Sequence, residues 1–336
     1  MGGEVFRRLI FLPVTLFFVA TLVFLALRAL PGSSIELLGS QFTTAGLKEQ
    51  LIADLGLDKS IWEQYGIFLG ELVRFDLGRS FLTGKDVSSM VGETLPVTIE
   101  LAVASLVVMT IAGIGMGLLA GAFPGTLADG LLRTVSVLLF SLPWFWFGIV
   151  LIIVFVLWLG WFPAFGRLPS SVDYEAVTNF VLIDAIILGR FDLVVPWLKH
   201  VTLPALTVGL TTSGVLMRLT RVGVIETAKT DYIRTARMKG VPGPRVFFRH
   251  ILRNVALGIL TVIGVQFGAM LGGSVIAEVV FGYPGIGRMT VDAVLNRDYA
   301  VAQGGAIVIA AFYVLINLAT DLSYRWADPR LRRGGR

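Results

Sequence analysis

Long apolar runs alternate with polar stretches along this chain, and the runs have the length of membrane-crossing helices. Six of them approach or exceed the roughly 20 residues needed to cross a hydrocarbon core of about 30 Å. They are Leu9 to Leu27, Val97 to Ala122, Thr134 to Leu159, Val201 to Met217, Val255 to Phe281 and Val301 to Thr320. The pattern predicts an all-α polytopic membrane protein with six transmembrane helices. The first run follows Arg7 and Arg8, is too long for a signal-peptide core and has no small-residue cleavage site after it, so it is read as a retained anchor.

Residues 31–96 carry helical patterning of their own. In "LKEQLIADLGL" and "SIWEQYGIFLGELVRF", Leu47, Leu51 and Ile52, then Trp62, Tyr65, Phe68, Leu69 and Leu72, recur at three- and four-residue spacings. They predict short amphipathic helices on the outer membrane surface or packed on the bundle. Trp161 to His200 is also a long connection, and its apolar patch "FVLIDAIILG" is too short to span. Pro143, inside the third run, predicts a kink. Glycine recurs every fourth position in two runs, as Gly113, Gly117 and Gly121 and as Gly264, Gly268 and Gly272. That spacing clears one stripe of a helix of side chains, so it predicts close helix packing in preference to the lining of a pathway.

The polar stretch "DYIRTARMKGVPGPRVFFRHILRN", Asp231 to Asn254, interrupts this pattern with six Arg or Lys residues and one acid. Asp231 suits an N-cap for a helix from Tyr232 to Lys239, and Gly240 suits its left-handed stop. "VPGP" then breaks the chain, and Pro244 suits the first turn of a second helix, Arg245 to Arg253. Two short helices meet at a rigid corner. Ile233, Ala236, Val246, Phe247, Ile251 and Leu252 give them apolar faces beside a basic one. A headgroup-facing amphipathic pair fits that pattern. So does insertion into a protein groove, which the paired phenylalanines and small Ala236 favour.

Composition narrows the function. The 336 residues are 55% hydrophobic and 15% charged, with a mean hydropathy of +0.81, against about 25% charged in soluble domains. There is no cysteine and there are only two histidines, so no catalytic residue and no metal ligand set is assigned. Inner segments hold 17 basic and 6 acidic residues when the N-terminus is placed inside, and outer segments hold 10 and 15. Positive charge resists translocation, so both termini are expected in the cytoplasm. The expected organisation is an anchor (1–30), an extracytoplasmic loop (31–96), a core (97–320) with an inner loop (218–254), and a basic tail (321–336). Arg28, Glu100 and Glu278 lie near outer helix ends, which leaves no obvious intramembrane proton relay.

"YIRTARMKG" followed by "RHILRN" resembles the cytoplasmic signature loop of ABC transporter permeases of the dipeptide, oligopeptide and nickel branch. "LRALPG" (27–32), "LGLDKSIWEQY" (55–65), "DLGRSF" (76–81), "LPVTIELA" (95–102), "LPALTVGL" (203–210), "GGSVIAEVVFGYPGIGRM" (272–289), "NRDYAVAQG" (296–304) and "ADPRLR" (327–332) are similar to family segments in order. Gly258 stands where the branch usually has proline, and Phe75 where a small residue is common.

The resemblance implies a type I importer-like fold and a cytoplasmic-membrane permease subunit for binding-protein-dependent peptide import. Its implied partners are a second homologous permease, two nucleotide-binding ATPases, an extracytoplasmic solute-binding protein and membrane lipid. Nucleic acid is not among them. No cofactor is expected on this chain, and ATP and Mg belong to the partner subunits; "TGKD" (83–86) lacks the spacing of a phosphate loop. The coupling residues implied are Tyr232, Arg234, Thr235, Ala236, Lys239, Gly240, Phe247 and Arg249. Glu278, Phe281, Pro284, Gly285, Gly287 and Arg288 are expected to form an outer gate or a binding-protein contact, with a packed turn as the alternative. An ion-driven carrier and a polytopic membrane enzyme are the competing functions.

Overall fold

The computed structural model describes residues 2–29 and 58–327, with side chains for 13–29, 58–256 and 258–320. The expected helix around Leu47, Leu51 and Ile52, and most of the basic tail, lie outside the described residues. In chain order the helices are α1 (Gly2–Ala29), α2 (Ile61–Val73), α3 (Val87–Ala122), α4 (Leu127–Ser141) and α5 (Trp144–Leu151), the last extended by a π-helical stretch (Ile152–Trp158). Then follow α6 (Val181–Ile187), a 3-10 turn (Phe191–Leu193), α7 (Val194–Ala228), α8 (Asp231–Met238), α9 (Gly243–Arg245) with a π-helical stretch (Val246–Ile251), α10 (Leu252–Val280), α11 (Ile286–Leu295) and α12 (Tyr299–Ala327). Among the described residues there is no β-strand.

The chain divides into two compact units, 1–95 with 285–311, and 96–284 with 312–336. In the first, α2 starts at a capping box: Glu63 N–H donates to Ser60 Oγ (3.4 Å), and Ser60 N–H donates to Glu63 Oε2 (3.0 Å). Its aromatic face packs on α1, with Phe24 5.1 Å from Tyr65 and 5.5 Å from Phe68 between ring centroids. Arg28 Nε donates to Gln64 Oε1 at 2.9 Å. The amphipathic face of this segment therefore packs on α1. After α2 the chain turns through Phe75, which is 91% exposed and has a φ of 59°. A bulky side chain strains that left-handed conformation. Val87, Ile286, Ala293, Val301 and Ala302 form the unit's core, and Ser80 Oγ donates to buried Asp298 at 2.6 Å.

The second unit holds the glycine seam. A Cβ placed on Gly113 would lie 2.8 Å from Leu216 Cβ, one on Gly117 2.5 Å from Thr220 Cβ, and one on Gly121 2.8 Å from Val224 Cβ. From the other side, a Cβ on Gly209 would lie 2.6 Å from the Ser105 carbonyl oxygen. α3 and α7 thus meet backbone to backbone along several turns. Gly214 of α7 does the same to α4, where a Cβ would lie 2.9 Å from Ser136 O. Gly264 and Gly268 of α10 face Thr320 and Asn317 of α12, whereas Gly272 has open space beside it.

Three expectations change. The run from Thr134 to Leu159 is two helices, α4 and α5, bent by 106° at a short break. Leu142 is extended (φ −77°, ψ 132°) because the proline that follows it excludes the helical conformation. Among the described residues, four helices are long and apolar enough to cross a membrane, or five with the bent pair as one, and α1 adds the apolar segment Pro13–Ala29. The fourth run extends as α7 to Ala228, because Arg218 and Arg221 end the apolar run without ending the helix. Finally, the helix expected at Arg245 to Arg253 does not stand alone. It runs from Gly243 through the π-helical stretch directly into α10, since no proline or glycine interrupts residues 245–257.

Candidate functional site

The basic corner is built as its sequence suggests, shifted by one residue at the start. Thr230 takes the N-cap conformation (φ −70°, ψ 149°) and Asp231 becomes the first helical residue, where its charge suits the helix dipole. Gly240 has a φ of 76° and ends α8, a conformation open to glycine without a Cβ clash. Ile233, Val246 and Ile251 are buried in the main core of their unit, with Ala236 and Phe247 packed against it. Tyr232, Arg234, Thr235, Lys239, Gly240 and Arg249 are exposed. The corner is therefore a basic surface on an apolar anchor. Asn254 Nδ2 donates to the Tyr232 hydroxyl and ties α8 to α10.

Of the two phenylalanines, Phe247 faces inward and Phe248 outward, 65% exposed, with Met238 73% exposed on the facing helix. Sequence reasoning selected Phe247. The four-residue connection between the helices, 239–242, gave no phase for choosing between neighbours, and only the fold does so.

At the opposite end of α7 lies a buried polar cluster. Glu100 accepts from Arg167 Nε (3.0 Å) and Nη2 (2.5 Å), from Val181 N–H (2.5 Å) and from Trp197 Nε1 (3.2 Å). The two charged side chains are 6% and 10% exposed. Arg167 Nη2 also donates to the Asn179 carbonyl at 2.6 Å. Nearby on the same segment, Asp184 accepts from the Tyr174 hydroxyl, Thr178 Oγ1 (2.6 Å), Thr178 N–H (2.9 Å) and Val177 N–H (3.1 Å). Burial alone pushes the Asp184 carboxyl upward, and these four donors together outweigh it, so its pKa ends below the usual carboxylate range. Burial and the bond to Asp184 raise the Tyr174 phenol. Glu100 thus fastens the 161–193 connection onto α3, and Asp184 ties that connection to itself.

A third carboxylate works near the basic corner. Asp129, in the first turn of α4, accepts from Arg221 Nε (2.7 Å) and Nη2 (2.8 Å) and from Gly125 N–H (2.9 Å), with Arg133 Nε 3.4 Å away. Its side chain is 1% exposed and that of Arg221 21%. Sequence reading missed both ion pairs, because Glu100 and Arg167 are 67 residues apart and Asp129 and Arg221 are 92 apart. The available signal was an ionisable residue in or beside an apolar run, which calls for a partner without naming it.

The residues expected at the outer face fall on both sides of the division between units. Glu278 is fully buried and accepts from Thr98 Oγ1 (2.7 Å) and Ser274 Oγ (3.2 Å). Phe281 is buried beside Gly148, Leu151 and Leu203, and Pro284 is exposed. Tyr283, between them, is buried, which raises its phenol, and the Glu100 charge raises it further. In the other unit, Gly285 caps α11, Gly287 is buried, and Arg288 pairs with Asp292 at 3.5 Å. Among the described residues no group of three or more His, Asp or Glu side chains is placed to hold a metal ion.

Comparison with known proteins agrees with this architecture. A family model described as "Binding-protein-dependent transport system inner membrane component" matches residues 113–333. The di/tripeptide transport system permease protein DppB of Pseudomonas aeruginosa is 37% identical over 97% of this chain and 97% of its own. The dipeptide transport system permease protein DppB of Escherichia coli K12 is 35% identical over 98% of each, and that of Alkalihalophilus pseudofirmus is 34% identical over 97% of this chain and 98% of its own. Helices long and apolar enough to cross a membrane, a family match over about two thirds of the chain and relatives aligned along nearly all of it lead to one conclusion: the protein belongs to the binding-protein-dependent transport family, as a multi-pass permease subunit of the inner membrane, not an enzyme.

Proposed function

We propose that this permease imports dipeptides or oligopeptides together with a second homologous permease, with its basic corner and both termini in the cytoplasm. Two ATPase subunits that bind ATP and Mg dock on the corner, and an extracytoplasmic solute-binding protein delivers the cargo. The observation that carries this reading is the corner itself. Exposed Arg234, Lys239 and Arg249 share this corner with the exposed apolar side chains Met238 and Phe248, while Ile233, Val246 and Ile251 root the same helices in the core. A surface of this kind offers anchors for a groove on a partner and a rigid route for force into the bundle. The relatives' names, which are those of dipeptide permeases, support the choice of cargo.

At the other face, Glu278 to Arg288 and the fastened 161–193 connection are assigned to the outer gate or the binding-protein contact. ATP-driven closure of the partners shifts a two-state bundle, and the shift opens the path on one side at a time.

The reading is tested by co-reconstituting the tagged permease with its co-purifying chains in liposomes and measuring uptake of a labelled dipeptide. Uptake requires ATP and survives a protonophore, and Phe248→Asp lowers both uptake and recovery of the ATPase subunits while leaving membrane insertion unchanged. Uptake that runs without ATP and collapses with the proton gradient overturns the proposal in favour of a carrier.

A further inference from the structure

We infer that Asp129 and Arg221 are positioning residues that hand movement of the coupling corner from α7 to α4, a role that rests on the proposed docking of ATPases at that corner. The geometry is local and specific. α7 ends at Ala228, and α8 begins three residues later at Asp231. Arg221 sits seven residues before that end, about 10 Å along the helix at 1.5 Å per residue. A push delivered at α8 therefore crosses only the Lys229–Thr230 link before it reaches Arg221 along α7.

α4 touches α7 at two levels. At the upper one, the Gly214 backbone lies against Ser136 and Phe140. This is a close approach of a bare helix stripe to a neighbour, with no directional bond between them. At the lower one, Asp129 receives both nitrogens of the Arg221 fork, at 2.7 and 2.8 Å. A bidentate guanidinium–carboxylate contact fixes distance and angle together, which a single point charge does not.

Asp129 is also tied to its own turn. Gly125 N–H donates to it at 2.9 Å, and Thr126 Oγ1 caps its backbone N–H at 3.3 Å. Arg221 thus grips the hydrogen-bonded start of α4, where the grip transmits torque as well as pull. Beyond α4 lies the Pro143 break and α5, whose Gly148 packs on Phe281. The clamp therefore joins the coupling corner to a residue assigned to the outer face, through the bent pair α4 and α5.

The role is separated from simple stability by the amount of peptide moved per ATP hydrolysed in the reconstituted complex. Asp129→Asn keeps shape and loses the charge, and Arg221→Lys keeps charge and loses the fork. Each is expected to lower peptide transported per ATP by roughly 10-fold, within the range of ordinary coupling free energies, with ATPase subunits still recovered in the unsubstituted amount. The exchanged pair Asp129→Arg with Arg221→Asp is expected to recover a substantial part of the ratio. An unchanged ratio in either single variant, or losses of uptake and assembly in step that the exchanged pair does not repair, overturns the assignment. Failure of the underlying reading is separately visible, because the unsubstituted protein would then show no ATP-dependent uptake to divide.

Discussion

Two neighbouring glycines of α3 should respond to the same substitution with opposite sign. At Gly117 an added Cβ would lie 2.5 Å from Thr220 Cβ and 2.7 Å from the Met217 carbonyl oxygen. Carbon atoms in contact prefer about 3.5–4.0 Å, so Gly117→Ala has to open the seam by at least roughly 1 Å. Neither close neighbour is the far end of a flexible side chain. Gly113 and Gly121, a turn away on either side, hold the helices at the same short separation and oppose the opening. Overpacking of this kind costs about 1–3 kcal/mol, offset by the ~0.5–1 kcal/mol that alanine gains over glycine within a helix. Gly115 has nothing within 4 Å of its Cβ position, so Gly115→Ala collects the gain alone. The two variants are expected to differ by roughly 2 kcal/mol. Equilibrium unfolding in mixed micelles, followed by circular dichroism, measures the difference. A Gly117→Ala protein as stable as the Gly115→Ala protein refutes the backbone-to-backbone seam.

Two further expectations concern the fastened connection. Glu100→Ala strands Arg167 without its counter-charge in a nearly dry site and is expected to destabilise the protein by about 3–5 kcal/mol; Glu100→Leu with Arg167→Leu costs much less in the same unfolding assay. Asp184 has a depressed pKa in the folded chain, so its stabilisation is complete above the unfolded value of about 3.9 and fades as the pH falls through the lower folded value. Brief exposure of liposome-embedded protein to an acid-active protease is expected to cut the 161–193 connection only below about pH 4. Asp184→Asn, by contrast, is cut at every pH tested.

The parts of this fold legible in the sequence are those with a local cause. The left-handed backbone at Gly240 and the close approach at Gly113, Gly117 and Gly121 each depend on residues within a turn or two, whereas Gly272, at the same spacing, has open space beside it. The Pro143 break was visible as a kink but not as two helices at 106°, since an apolar run carries no information about the angle at which its halves leave a proline. The outward face of the corner was half legible. The basic residues announced it, while the choice of Phe248 over Phe247 depends on how α10 is rotated against the core. Glu100 with Arg167 and Asp129 with Arg221 were invisible as pairs, because only the folded chain makes them neighbours.

The length of the glycine seam also limits the kinematics of the bundle. From Gly209 to Val224 of α7, contacts with α3 recur at each successive turn, over about 22 Å at 1.5 Å per residue. Two rods joined at a point can swing about it, but two rods joined along such a line have lost that freedom. Hinge bending between α3 and α7 is therefore excluded over this stretch, and sliding would drive side chains into the sites that glycine keeps clear. The pair is left to travel as one plank, so conformational change in this unit has to be sought at its edges, where the bent helices and connecting loops still possess joints.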